Sequence, residues 1–184
     1  MKAYVEIRLS GSGGQGLMLA GAILAEAAGI FDGKEVIQNR SYGPESRGGA
    51  SRSEIIISET RIHYPAVINP DIVLAMTNEA YQKYVSDLKP DGILVIDPTY
   101  VMLEDNNDPR VHMIPITKLA VETTGEALTA NMVALGAVIG LSEVVTVTSM
   151  EKSIANRVPA GTVDKNLNAF KAGYERVRTE NYVG

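Results

Sequence analysis

A chain of 184 residues is long enough for a domain with a real core, and 45 % hydrophobic against 21 % charged residues excludes an intrinsically disordered polymer. A net charge of −5 leaves no basic excess to neutralise a phosphate backbone, which disfavours nucleic-acid binding. The lack of any cysteine excludes disulfides, thiolate nucleophiles and cysteine-held iron–sulfur clusters, and the two histidines, His63 and His112, stand far apart without metal-ligand spacing.

Taken in chain order, the first residues carry no apolar signal-peptide core. Residues 3–9 alternate, with Ala3, Val5, Ile7 and Leu9 on one side and Tyr4, Glu6 and Arg8 on the other, which predicts a strand. Ser10 to Gly16 is a glycine-rich turn, and Leu17 to Ile30 reads as a buried helix ended near Gly29. Glu35–Gln38 is a short candidate strand, residues 40–52 an irregular loop, and Ser53–Ser58 a buried strand around three isoleucines. Asp71–Met76 is another strand, and Thr77 is the expected N-cap of the helix after it, with Glu79 at the positive end of its dipole. Gly92–Asp97 and Val111–Ile116 complete the strands, separated by a polar loop over 104–110.

From Thr117 onward the chain reads as helical. Met132 to Leu141 is the longest apolar run, about half the length of a bilayer span, so a cytoplasmic protein without a membrane segment is expected. Gly136 and Gly140 lie four apart in it, a spacing that permits close helix packing within the fold or on a partner, the former being favoured. Thr148 and Glu151 have capping-box spacing for the next helix, and Pro159-Ala-Gly161 ends it. The last helix carries an apolar stripe of Val163, Leu167, Phe170, Tyr174 and Val177. Strands interleaved with helices predict an α/β fold over residues 1–184 as one domain, a mostly parallel sheet with helices on both faces.

Two motifs stand out. Gly11-Ser12-Gly13-Gly14-Gln15-Gly16 matches G-x-G-x-x-G between a strand and a helix, the Rossmann-like place where backbone approaches an anion and free helix N–H groups meet it. No G-K-[ST] follows, which excludes a Walker loop, and Glu35-Val-Ile-Gln38 puts the acid at the start of the second strand instead of its end, which weakens a dinucleotide reading. Packing of the first helix on the sheet is the bland alternative. The second motif runs Ser41-Tyr42-Gly43-Pro44-Glu45-Ser46-Arg47-Gly48-Gly49. Its Tyr-Gly-Pro turn, paired glycines and fixed Glu45 and Arg47 suit a binding loop, with Arg47 and Arg52 as candidate phosphate partners. Asn131 is a candidate cap or ligand contact, and Asp97 faces the ligand crevice or caps the turn at Pro98.

Together the motifs, with Asn69-Pro-Asp71 and Asn131-Met-Val-Ala-Leu-Gly136, resemble the gamma subunit of 2-oxoacid:ferredoxin oxidoreductases over nearly the whole chain, and the short separate chain looks most like the 2-oxoglutarate type. The resemblance implies a complex that decarboxylates a 2-oxoacid on thiamine diphosphate, passes electrons through 4Fe-4S clusters to ferredoxin and transfers the acyl group to coenzyme A. It implies that thiamine diphosphate, Mg and the clusters lie in partner subunits, alpha and beta with a ferredoxin-like delta as a further partner. This chain is then expected to contribute contacts to coenzyme A and to its partners through both motifs. A free-standing nucleotide-dependent reductase and a purely structural scaffold are the competing readings.

Overall fold

The computed structural model describes residues 3–41, 50–103 and 107–180. Strand β1 (Tyr4–Ser12) is central, and all but its two end residues are buried. On one side it pairs antiparallel with β3 (Ala50–Ser58), which pairs antiparallel with β2 (Glu35–Ser41). On the other it pairs parallel with β4 (Ile72–Ala75), followed by β5 (Ile93–Ile96) and β6 (Val111–Met113), also parallel. The order is β2-β3-β1-β4-β5-β6. Parallel neighbours need a crossover of a dozen residues or more, which the eight residues between β2 and β3 cannot supply. The mostly parallel sheet expected from the sequence therefore carries an antiparallel pair of strands at one side.

The period-two pattern sorts each strand onto two faces. Ile7, Leu9, Ile55, Ile57, Ile72, Leu74 and Val95 face one core with α1 (Leu17–Glu26), α4 (Ala130–Ser142), α5 (Val147–Arg157) and α6 (Val163–Glu180). Val73, Ala75, Leu94 and Ile96 face the other, under α2 (Asn78–Tyr84) and the turn after it through Tyr81, Val85 and Leu88. Helix α3 (Ile116–Thr124) packs against α4 and α6. On the α2 face β1 buries charge instead of hydrocarbon. Arg8, 3 % exposed, donates to Glu54 Oε1 at 2.8 Å, to the Tyr84 carbonyl at 3.0 Å and to Asp87 Oδ1 at 2.5 Å. Glu6 accepts from the amides of Ile68 and Asn69, and Asp71 accepts from the Glu6 amide and pairs with Lys89. The Asn69-Pro-Asp71 segment is thereby fastened to β1 from both sides.

Several boundaries differ from the sequence expectations, each for a tertiary reason. β2 runs on to Ser41 because it pairs with β3 as far as Arg52, and β3 reaches back to Ala50 because its first residues pair with β1, so Arg52 belongs to a strand and not to a loop. The first helix ends in a π-helical turn, Ala27–Phe31, and the left-handed residue that stops it is Gly33, not Gly29. β6 stops at Met113, and α3 starts at Ile116 behind Pro115. Thr77 caps α2 as expected, its hydroxyl accepting from the Ala80 amide. The cap of α5 is Thr146, not Thr148: its hydroxyl accepts from the Ser149 amide, while it and Ser149 both donate to Asp32. Residues 104–106 of the polar loop lie outside the described residues.

Candidate functional site

β1 and β4 are parallel neighbours, yet the chain leaves β1 toward α1 on one face and β4 toward α2 on the other. That divergence opens a crevice at the carboxyl ends of the two strands, the place where open α/β sheets bind ligands. The glycine motif occupies it. Gly11 is still in the ladder, opposite Ser51, and its bare Cα leaves room for Gln15, whose Oε1 an added Cβ would meet at 2.3 Å. The Ser12 amide donates to that Oε1 at 2.8 Å, so Gln15 braces its own loop. Gly14 at φ 91° and Gly16 at φ 73° take the left-handed conformations that turn the chain into α1. Gly16 is the N-cap and offers no side chain, and the amides of Gly13, Gly14 and Gly16 meet no acceptor among the described residues. These are the free donors an anion at a helix start requires.

Asn131 does not cap its own helix, whose N-cap is Thr129. It is 5 % exposed and donates from Nδ2 to the Gly16 carbonyl at 3.3 Å, tying the start of α4 to the glycine loop. Asp97 is fully buried and serves the turn: it accepts from the Thr99 amide, and from the amide and hydroxyl of Thr117 at 2.8 and 2.6 Å. Arg52 lies on the α2 face. It stacks over Tyr84 at 5.1 Å, sits 3.6 Å from Glu54 and keeps a buried Nε without a hydrogen-bond partner. The Tyr42, Gly43, Pro44, Glu45, Arg47, Gly48 and Gly49 of the second motif lie outside the described residues. Its flanks are described: Ser41 ends β2 and Ala50 begins β3, with Ala50 in register with Ser12, so both motifs leave the sheet at one end. Ala50 is clamped by α2, its amide donating to Glu79 and its carbonyl accepting from the Tyr84 hydroxyl.

Among the described residues, two clefts flank the glycine loop and share Leu128. One, of about 210 Å³, is bounded by Gly14, Gln15, Tyr100 and Thr117. The other, of about 360 Å³, is bounded by Gly16, Leu19, Asn131, Pro159 and Lys165. Sequence reading missed Tyr100, Thr117 and Lys165, because none stands in a motif and only the fold brings them to Gly14 and Gly16. A larger cleft of about 550 Å³ lies beside Gly29 and β2, away from these donors; its cations are already engaged, Lys34 with Glu59 and Arg157 with Glu26. The dinucleotide reading loses its second support here. β2 is separated from β1 by the antiparallel β3, and its carboxyl end carries Arg40 and Ser41 instead of an acid for a ribose hydroxyl.

The family model described as pyruvate ferredoxin/flavodoxin oxidoreductase matches residues 6–176. The 2-oxoglutarate synthase subunit KorC of Methanocaldococcus jannaschii is 47 % identical over 95 % of each chain. The pyruvate synthase subunit PorC of Methanothermobacter thermautotrophicus is 35 % identical over 94 % of this chain and 96 % of its own. The crystal structure of a keto/oxoacid ferredoxin oxidoreductase gamma subunit from Geobacter sulfurreducens PCA superposes with a TM-score of 0.85 at 44 % identity, over 95 % of this chain and 99 % of that one. The crevice, its glycine loop and these relatives agree, and the chain belongs to the pyruvate ferredoxin/flavodoxin oxidoreductase family as a gamma-type subunit of a 2-oxoacid:ferredoxin oxidoreductase complex.

Proposed function

We propose that the complex this chain serves is cytoplasmic and oxidises 2-oxoglutarate, and that the glycine loop receives the phosphates of coenzyme A. The observation that carries the second part is the set of free amides at Gly13, Gly14 and Gly16, held open by Gln15 and Asn131 at the start of α1. The choice of oxoacid rests on the higher identity to the 2-oxoglutarate synthase subunit, 47 % against 35 % for the pyruvate synthase subunit.

This chain has no cysteine to ligate a cluster, and the family resemblance assigns thiamine diphosphate together with the clusters to alpha, beta and delta partners, with ferredoxin as acceptor. Bound there, thiamine diphosphate would supply the decarboxylation and the clusters would carry the two electrons to ferredoxin, so that the acyl group could pass to the coenzyme A thiol. The work of this subunit is to hold and orient that thiol. Its amides donate to phosphate oxygens, and the α1 dipole favours the negative charge. Tyr100, Met102 and Leu128, 48, 85 and 76 % exposed at this end of the molecule, form the apolar rim on which a partner closes and excludes water.

Anaerobic purification of the tagged chain from its own cells tests the assignment. Larger subunits, iron and thiamine diphosphate are expected in the eluate, with coenzyme A-dependent ferredoxin reduction faster on 2-oxoglutarate than on pyruvate. A chain that elutes alone sinks the reading, and a preference for pyruvate corrects the substrate.

A further inference from the structure

Helix α2 is too short to be held on the sheet by hydrocarbon alone, since of its seven residues it buries only Ala80 and Tyr84. Two of its side chains converge on Ala50, which is 1 % exposed and is the first described residue after the second motif. Among the described residues the β2 ladder ends at Ser41 opposite Arg52, two residues further along β3. In place of a strand neighbour, the Ala50 amide donates to Glu79 Oε1 at 3.1 Å and the Ala50 carbonyl accepts from the Tyr84 hydroxyl at 3.2 Å. Most backbone groups in a sheet meet other backbone, so one helix that takes both groups of one residue with side chains forms a grip at that residue. The grip is anchored independently of the motif. Thr77 caps the start of α2, and Arg8 donates to the Tyr84 carbonyl at 3.0 Å. Arg52 lies over the Tyr84 ring at 5.1 Å and Lys83 at 5.5 Å. Tyr84 is thus held at its backbone by β1 and on its ring by β3.

We infer that Glu79 and Tyr84 are positioning residues for the reaction of the complex: they fix the point at which the second motif re-enters the sheet, and they touch no ligand themselves. The entry of the motif is secured by the register of β2 on β3 from Glu35 to Ser41. Its exit has the last pair of the β1 ladder, Ser12 opposite Ala50, and the α2 grip. Removal of either side-chain group leaves the strand register in place but strands a buried amide or carbonyl, which must turn toward water and carry the end of the motif with it. The next residue transmits such a shift. Ser51, 6 % exposed, donates from Oγ to the Gly11 carbonyl at 3.4 Å, so the exit of one motif is tied to the start of the other. A displacement of about 1 Å in a positioning element costs up to about a hundredfold in rate. The inference rests on the second motif serving the complex to which the chain belongs, and not on phosphates at the glycine loop.

The test uses the anaerobically purified complex, assayed well below its melting transition. Glu79→Ala and Tyr84→Phe, the second losing only the hydroxyl, should each lower kcat/KM for coenzyme A about tenfold. Glu79→Gln keeps an acceptor oxygen and loses the charge, and it should keep the parental value. A Gln variant as slow as the Ala variant would assign the effect to charge at the start of α2 and overturn the inference. The double variant should fall little below the single ones, because both groups act through Ala50, whereas a fully additive loss of about a hundredfold overturns that shared action. Hydrogen exchange at the Ala50 amide reads the grip without activity: faster in Glu79→Ala, parental in Glu79→Gln. Lys89→Met is the control, since it breaks the Lys89–Asp71 pair of 2.8 Å on the same face at the other end of the sheet and should leave kcat/KM unchanged. Faster exchange at Ala50 with parental kcat/KM, or an equal loss in Lys89→Met, shows that the grip serves stability alone. The glycine-loop reading fails separately, if Gly13→Ala leaves the KM for coenzyme A unchanged.

Discussion

Two glycines three residues apart, Gly13 and Gly16, have different physical duties, and substitution separates them. At Gly13 an added Cβ meets nothing within 4 Å and the backbone needs no positive φ. Gly13→Ala should therefore leave the urea midpoint unmoved, while its methyl stands where a phosphate must approach the amides, raising the KM for coenzyme A about tenfold or more. At Gly16 the left-handed backbone alone costs a side chain about 1–2 kcal/mol. A Cβ there also meets Asn131 Nδ2 at 2.4 Å. Gly16→Ala should thus lower stability and ligand binding together, and a Gly16→Ala complex with parental melting would show that the Asn131 contact is not needed. Arg8 illustrates the opposite case of a residue whose importance is purely internal. Arg8→Met takes from Glu54, 9 % exposed, its hydrogen-bonded partner at 2.8 Å and leaves only Arg52, 3.6 Å away. Loss of one member of a buried pair costs about 3–5 kcal/mol, which denaturant titration of the isolated chain would read directly.

At the scale of the element, the joint between the π-helical turn and α5 is held by one carboxylate. Asp32 accepts from the Thr146 amide and hydroxyl, both at 2.9 Å, and from the Ser149 hydroxyl at 2.5 Å. Burial pushes its pKa up, but these hydrogen bonds outweigh burial and hold it below the ordinary 3.8. The folded state thus favours the ionised form, its contribution is complete above the unfolded pKa, and it is lost as pH falls through the lower folded value. Asp32→Ala should cost about 1–3 kcal/mol at neutral pH, and the gap to the parent should close below about pH 4. A gap independent of pH would assign the loss to packing. This joint also shows where sequence reading ends. The Thr77 cap was legible because its partner, Ala80, is three residues away. The Thr146 cap was not, because Thr148 and Glu151 mimic a capping box and the group that decides the matter is Asp32, 114 residues distant. The glycine loop was legible for the same local reason, as were β1, β4, β5 and the stripe of α6. Lys165, the placement of Arg52 under α2 and the antiparallel pairing of β2 depend on contacts that no short window of sequence contains.

At the scale of the whole molecule, the width of the larger cleft is set by how closely α4 and α6 pack, since Asn131 stands at the start of one and Lys165 at the start of the other. The glycines of both helices make that packing close. A Cβ on Gly136 would lie 2.0 Å from the Phe170 carbonyl, and one on Gly173 would lie 2.0 Å from the Val133 carbonyl. The Gly136 and Gly140 spacing therefore serves packing inside the fold, as the sequence suggested. Backbone, not a movable side chain, stands in the way, so Gly136→Ala must separate the helices and should cost about 1–3 kcal/mol. For a chain of this size that lowers Tm by about 2–4 °C per kcal/mol. Separation also moves Asn131, five residues or about 7.5 Å of helix away along α4, and with it the Gly16 carbonyl that Asn131 holds. The KM for coenzyme A should consequently rise, measured well below the melting transition. Asp32→Ala is the control: similar in lost stability, it loosens the opposite joint and should leave that KM at the parental value. If the two variants, matched in Tm, bind coenzyme A alike, the α4–α6 glycines maintain the fold without setting the site. If only Gly136→Ala weakens binding, the helix spacing is part of how this subunit recognises its ligand.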